Sequence, residues 1–117
     1  MPTVFLYLSL IANIVVLLPV TSVLVFDAPE ATRAWGPKTD ARQILLAIYL
    51  TILAVSTGLL LRPDSGVATG LLTLQIIYKT ISPLTVGNFC HPVVVVNLGI
   101  AALHSVTMYL LLTETAK

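Results

Sequence analysis

The charged residues of this chain are gathered into a few short places, and nothing else in the sequence constrains its fold as strongly. Six of them lie between Asp27 and Arg42, Arg62 and Asp64 form a second group, and Glu114 and Lys117 a third. Lys79 alone stands in an apolar stretch. Between these points run four uncharged segments, 1–26, 43–61, 65–78 and 80–113. A spanning helix needs about 20 mostly apolar residues, so the map predicts helices that meet lipid rather than water. Composition agrees: 57% of the 117 residues are hydrophobic and 9% charged, against roughly a quarter charged in a soluble domain.

The pattern predicts an all-α fold: a four-helix transmembrane bundle of antiparallel, up-down topology. One integral membrane domain, 1–117, has helices over about 4–26, 40–61, 66–82 or 66–86, and 92–112. The ambiguity in the third helix comes from Ser82-Pro83, which either ends or kinks it, because proline removes a backbone donor. Pro19 is expected to kink the first helix. Met1-Pro2-Thr3 has no basic residue and the apolar run continues to Phe26, so the segment reads as a retained helix rather than a removable signal.

The connection 27–42 is read as a solvated loop with balanced charges. Within it Asp27-Ala-Pro-Glu30 has the form of a helix start. A short interfacial helix would continue over 31–35, with Trp35 at headgroup level and Gly36-Pro37 ending it. Asp40 and Gln43 have the spacing of a capping box. Asp64 or Ser65 caps the third helix after the tight turn at Arg62-Pro63, and Pro92 opens the fourth. Residues 113–117 are expected to fray. Basic residues flank both ends, with a small excess in the first connection. That weakly favours cytoplasmic first and third connections, with both termini on the same, outer side; the margin is one or two charges, and both termini inside is the alternative.

Polar side chains within the apolar runs are the candidate functional residues, because lipid cannot satisfy them. Counting from the first-connection side at about 1.5 Å per residue places Tyr49, Gln75 and Asn97 in a shallow layer. Asn13, Ser56 and His104 form a deeper one, with Thr69 close by. Gln75, Tyr78, Lys79 and Ser82 share one side of the third helix, and Asn97, Ala101, His104 and Met108 one side of the fourth. The candidate inward polar face is therefore Lys79, Gln75, Tyr78, Asn97, His104 and Asn13. Its plain reading is hydrogen-bonding between helices; its functional reading is a ligand or transport site. If the third helix ends at Pro83, Lys79 snorkels to the headgroups. If it continues to Val86, Lys79 is buried, and Gln75, Tyr78 or a bound anion must satisfy it.

No cofactor or metal is expected. His91 and His104 are thirteen residues apart, about 20 Å along a helix, and cannot share an ion. The single Cys90 excludes an internal disulfide, and Cys90-His91 has no acid nearby in sequence to complete a catalytic set. A net charge of +1 with no basic run argues against nucleic acid. Expected partners are membrane lipids and other membrane-protein chains, in a hetero-complex or a homo-oligomer. Small residues at Ala54/Gly58, Gly66/Gly70 and Ala101/Ser105 support close helix packing within or between chains.

The resulting order of functions starts with a non-enzymatic structural or accessory subunit of a membrane complex. An oligomeric transporter or binding protein for a small anionic or amphipathic ligand follows. A lipid- or quinone-directed membrane enzyme, drawing on His104, Tyr78 or Lys79, comes last. The chain is similar in size to small multidrug-resistance-type transporters. It lacks the glutamate those proteins carry in their first helix, where it has only Asn13, and cation–proton exchange is disfavoured.

Overall fold

The computed structural model describes residues 2–116. It is all-helical: α1 Pro2–Val25, α2 Pro29–Trp35, α3 Asp40–Leu61, α4 Ser65–Val86 and α5 Pro92–Ala116. Three of the long helices, over Thr3–Val25, Asp40–Leu61 and Pro92–Thr113, are long and apolar enough to cross a membrane. α4 has the length, at 22 residues, but Gln75, Lys79 and its threonines and serines make it less apolar. The longest dimension of the fold is 48 Å, close to the roughly 40–45 Å of a bilayer with its headgroups.

α1 closes on Asp27. Asp27 adopts a left-handed conformation, φ 51°. The Ala28 amide donates to the Val23 carbonyl at 3.1 Å and the Asp27 amide to Leu24 at 3.3 Å. This is a Schellman closure of the last turn. Asp27 therefore terminates α1 and does not cap α2, whose N-cap is Ala28 with no side-chain bond. Its carboxylate is engaged by Arg42.

Arg42 reorganises the whole first connection. Its side chain is 1% exposed although it lies in the first turn of α3. Nη2 donates to Asp27 Oδ1, and Nη1 donates to the Gly36 carbonyl at 3.0 Å. One guanidinium thus joins the end of α1, the end of α2 and the start of α3. The connection holds the short helix expected within it and keeps Glu30, Arg33 and Lys38 exposed, while the guanidinium pins its two ends. Trp35 packs edge-on against Tyr49, ring centroids 6.4 Å apart. The cap of α3 is also displaced by one residue from the expected Asp40: Thr39 Oγ1 accepts from the Arg42 amide at 3.2 Å.

The third long helix neither ends nor stops at Pro83. It continues one turn to Val86 and closes on Gly87, which is left-handed at φ 75° and donates to the Pro83 carbonyl at 2.9 Å. The missing proline N–H leaves the Lys79 carbonyl without its helical donor. Ser82 Oγ supplies a substitute at 2.7 Å, so the helix passes through at little cost. Asp64 caps α4 through the Val67 amide at 2.9 Å, and α5 starts at Pro92, both as expected. α5 is longer than expected: 113–116 remain helical, and Lys117 lies outside the described residues.

α1 packs against both α3 and α5, and α4 packs along α5. One apolar cluster, Leu17, Leu24, Ala31, Leu46, Tyr49 and Ile52, lies at the α2 end. Another, Leu6, Leu10, Leu59, Ala68 and Leu72, closes the opposite end. The outer surface is apolar too, with Val15, Leu18, Ile44, Leu61, Leu74 and Leu84 all exposed. Hydroxyls on the exposed faces bond back to their own helices: Thr51 to Ala47, Thr57 to Leu53, Thr69 to Ser65 and Thr80 to Ile76. That is how a hydroxyl is satisfied where no water is available.

The clamp yields a stability prediction. Removing one partner of a buried ion pair costs up to about 3–5 kcal/mol, but Asp27 is 45% exposed and recovers some hydration. Arg42→Met should therefore cost about 2 kcal/mol and free α2. Limited proteolysis across 28–38 and thermal unfolding in detergent would report it; unchanged protection and melting would show that the clamp is dispensable.

Candidate functional site

The polar side chains meet in three tiers along the interior. The tier farthest from α2 joins α1 to α5: Ser9 Oγ and Thr107 Oγ1 lie 2.7 Å apart, and Thr107 Oγ1 lies 3.1 Å from the Phe5 carbonyl. Neither residue was singled out in the sequence. The spacing of Ser9 to Asn13 and of His104 to Thr107, one helical turn in each case, was the available signal.

The middle tier is centred on Asn13. Its Nδ2 donates to Ser56 Oγ at 3.1 Å, and its Oδ1 lies 3.0 Å from His104 Nε2. With the amide so arranged, Nε2 carries the imidazole proton. The same nitrogen lies 3.4 Å from Gln75 Oε1. Asn13, Ser56 and His104 are thus brought together as their counted depths implied. Gln75 belongs with them and not in the shallow layer. Thr69 takes no part; it faces outward and bonds Ser65. His104 Nδ1 and Gln75 Nε2 are buried without a hydrogen-bond partner among the described residues.

The tier nearest α2 holds Lys79. It is 4% exposed, so it does not snorkel: because α4 runs on to Val86, Lys79 lies nearly two turns inside the helix end. Nζ donates to Asn97 Oδ1 at 3.1 Å and sits 4.8 Å from the centroid of the Tyr78 ring. Among the described residues no carboxylate pairs with it; the ion pairs present are Arg42–Asp27 and the exposed Arg33–Glu30. Tyr78 is half-buried, and its hydroxyl is without a partner among the described residues.

Two pockets flank this tier. One, about 440 Å³, is bounded by Val15, Val16, Pro19 and Val20 of α1, by Val93 and Val96 of α5, and by Trp35, with Lys79 and Asn97 as its polar groups. Val15, Pro19 and Val96 are exposed, so it opens on the outer face of the helices. The second, about 510 Å³, lies under α2 against Tyr78, Ser82, His91 and Arg33. Trp35, Tyr49 and Asn97 line both and form their shared wall. The volumes are those of ordinary small-molecule sites.

His91 and Cys90 lie outside the polar interior. His91 Nδ1 accepts from the Val93 amide at 3.2 Å, capping α5, and Cys90 is exposed. No protein family, curated protein or solved structure matches the chain.

The middle tier can be tested through His104. An interhelical hydrogen bond in a membrane contributes about 0.6 kcal/mol and up to about 1.7, and an orphaned buried group costs about 1–3. His104→Leu, which strands Asn13 Oδ1, should lose about 1–3 kcal/mol of stability. His104→Gln, which can still donate to it, should lose clearly less. Denaturant titration in mixed micelles distinguishes them; equal losses would mean that shape, not the hydrogen bond, matters there.

Proposed function

We propose that the protein is a multi-pass membrane protein whose four long helices all cross the bilayer in up-down order. In this reading the pocket beside Lys79 binds a small amphiphile with a single negative charge. The reading of α4 as a fourth span is supported by its length of 22 residues, its exposed Val67, Leu74, Ile77 and Ile81, and the back-bonded hydroxyls of Thr69 and Thr80. Short connections to its neighbours complete the up-down path.

One observation carries the ligand reading: a buried amine without a carboxylate partner lines a pocket whose walls, Asn97 and Tyr49 apart, are apolar. A buried charge is tolerated when paired, and Lys79 has a neutral amide oxygen and an aromatic face instead. An anionic head placed at Nζ supplies the missing charge. Asn97 Oδ1 is taken by Lys79, which leaves its Nδ2 to donate to a second head oxygen. One ammonium and one amide suit a monoanion, whereas multiply charged phosphate sites favour the planar fork of arginine. The valine and proline walls suit the chain of such a molecule.

A second reading, an accessory subunit, draws on the small residues. A side chain built at Gly58 or Gly70 would meet nothing within 4 Å, so Ala54/Gly58 and Gly66/Gly70 leave room for a helix of another chain. Native mass spectrometry from the source membrane separates the two: a foreign polypeptide at fixed stoichiometry favours the accessory role.

The ligand reading is tested with decanesulfonate, a permanently ionised monoanionic amphiphile, titrated into protein in zwitterionic nanodiscs and corrected against empty discs. Saturable binding is expected, weakened at least about tenfold in Lys79→Met, the equivalent of about 1.4 kcal/mol. Equal binding by a Lys79→Met protein that retains its helicity, or no saturable binding at all, would reject it.

A further inference from the structure

We propose that the Lys79 pocket takes up its anion together with one proton, so that ligand and proton are held as a neutral pair inside the bundle. This rests on the anion-binding reading of the same pocket.

The argument begins with what surrounds the amine. Its own helix offers the Tyr78 ring, and α5 offers Asn97 Oδ1 and, one turn deeper through Gln75, His104. From α3 the nearest titratable group on the pocket wall is Tyr49; the α1 and α2 walls, Val16, Val20, Ala34 and Trp35, contribute none. No group facing Nζ among the described residues carries a negative charge.

In such a place the cost of charging the amine depends on whether an anion lies beside it. Bringing in the anion lowers the cost of the proton, and adding the proton raises the affinity for the anion. The two effects are one coupling and are equal in size. The step balances simply. A proton from water takes the lone pair of Lys79 Nζ, forming one N–H bond, and the anion of the ligand becomes its counter-ion. Nothing is oxidised and no group is transferred. Release reverses it.

Position adds direction. Below Lys79 the polar tiers continue through Gln75, His104 and Asn13 to Ser9 and Thr107, and they end against Leu6, Leu10, Leu59, Ala68 and Leu72. The far end is closed by apolar packing, so exchange is confined to the α2 half, where the pockets lie and where the Lys79 pocket opens on the outer face.

The test uses decanesulfonate again, because its charge does not titrate and any proton taken up belongs to the protein. Full-length protein in weakly buffered nanodiscs is titrated with the probe while an indicator dye reports protons, between about pH 6 and pH 9. The wild type should take up a measurable fraction of a proton per ligand bound, a fraction that grows with pH. Its affinity should fall as pH rises. Lys79→Arg keeps a cation that does not release its proton in proteins; whatever its affinity, it should bind with no proton uptake and no pH dependence. Saturable wild-type binding without proton uptake across that range overturns this inference and leaves the anion site standing. Proton uptake that persists in Lys79→Arg also overturns it, by placing the proton elsewhere. Absence of wild-type binding removes both readings at once.

Discussion

The hydrogen bonds of Asn13 hold the interior to one arrangement. Outside this protein is apolar surface on every long helix, and among lipids the hydrophobic effect does not distinguish one helix pairing from another. What distinguishes them is where polar groups find partners. One amide bonds α3 through Ser56 and α5 through His104, and His104 in turn reaches Gln75 of α4. A rotation of any of the four helices would strand at least one of these atoms in a region without water, at a cost comparable to a lost hydrogen bond or more. The glycines do not carry this role within the chain: Gly58, Gly70 and Gly99 have open space where a side chain would stand.

Charge placement made the helical stretches legible, because a run of twenty uncharged apolar residues has few other fates. Depth counting made half of the site legible. Asn13, Ser56 and His104 lie 13, 13 and 12 residues from Phe26, Gln43 and Pro92, which are within a few residues of true helix ends, and they meet. Gln75 lies 7 residues from Ser82 but 11 from Val86, where the helix ends, so a depth counted from Ser82 is too shallow. Serine and proline together look like a helix stop, yet Ser82 supplies the hydrogen bond that Pro83 removes, and the helix runs on for another turn. That one turn moves Gln75 into the middle tier and takes Lys79 from the surface to the interior.

Arg42 was unreadable for a related reason. It stands in a stretch of balanced charges, where sequence spacing gives no hint that a residue at a helix start reaches back to Asp27 and Gly36. The left-handed turn at Asp27 makes that contact possible by bringing its carboxylate to the first turn of α3. The clamp then fixes α2, and α2 carries Trp35 to the wall shared by both pockets. The architecture of the site thus depends on a residue that lines neither pocket.

The two buried cations are satisfied in opposite ways, and the contrast bears on function. Arg42 has a carboxylate and a carbonyl, and its charge is accounted for inside the fold. Lys79 has neither. A lysine within a spanning helix raises the insertion cost by about 2.5–3.5 kcal/mol. An apolar residue of the same volume would pack as well, and buried charges exchanged for such residues commonly leave proteins as stable or more so. Packing therefore gives no reason for an amine at this position. The anion site proposed above would supply one: an amine without an internal counter-charge, lining a pocket, would serve as the binding group for an anion from outside.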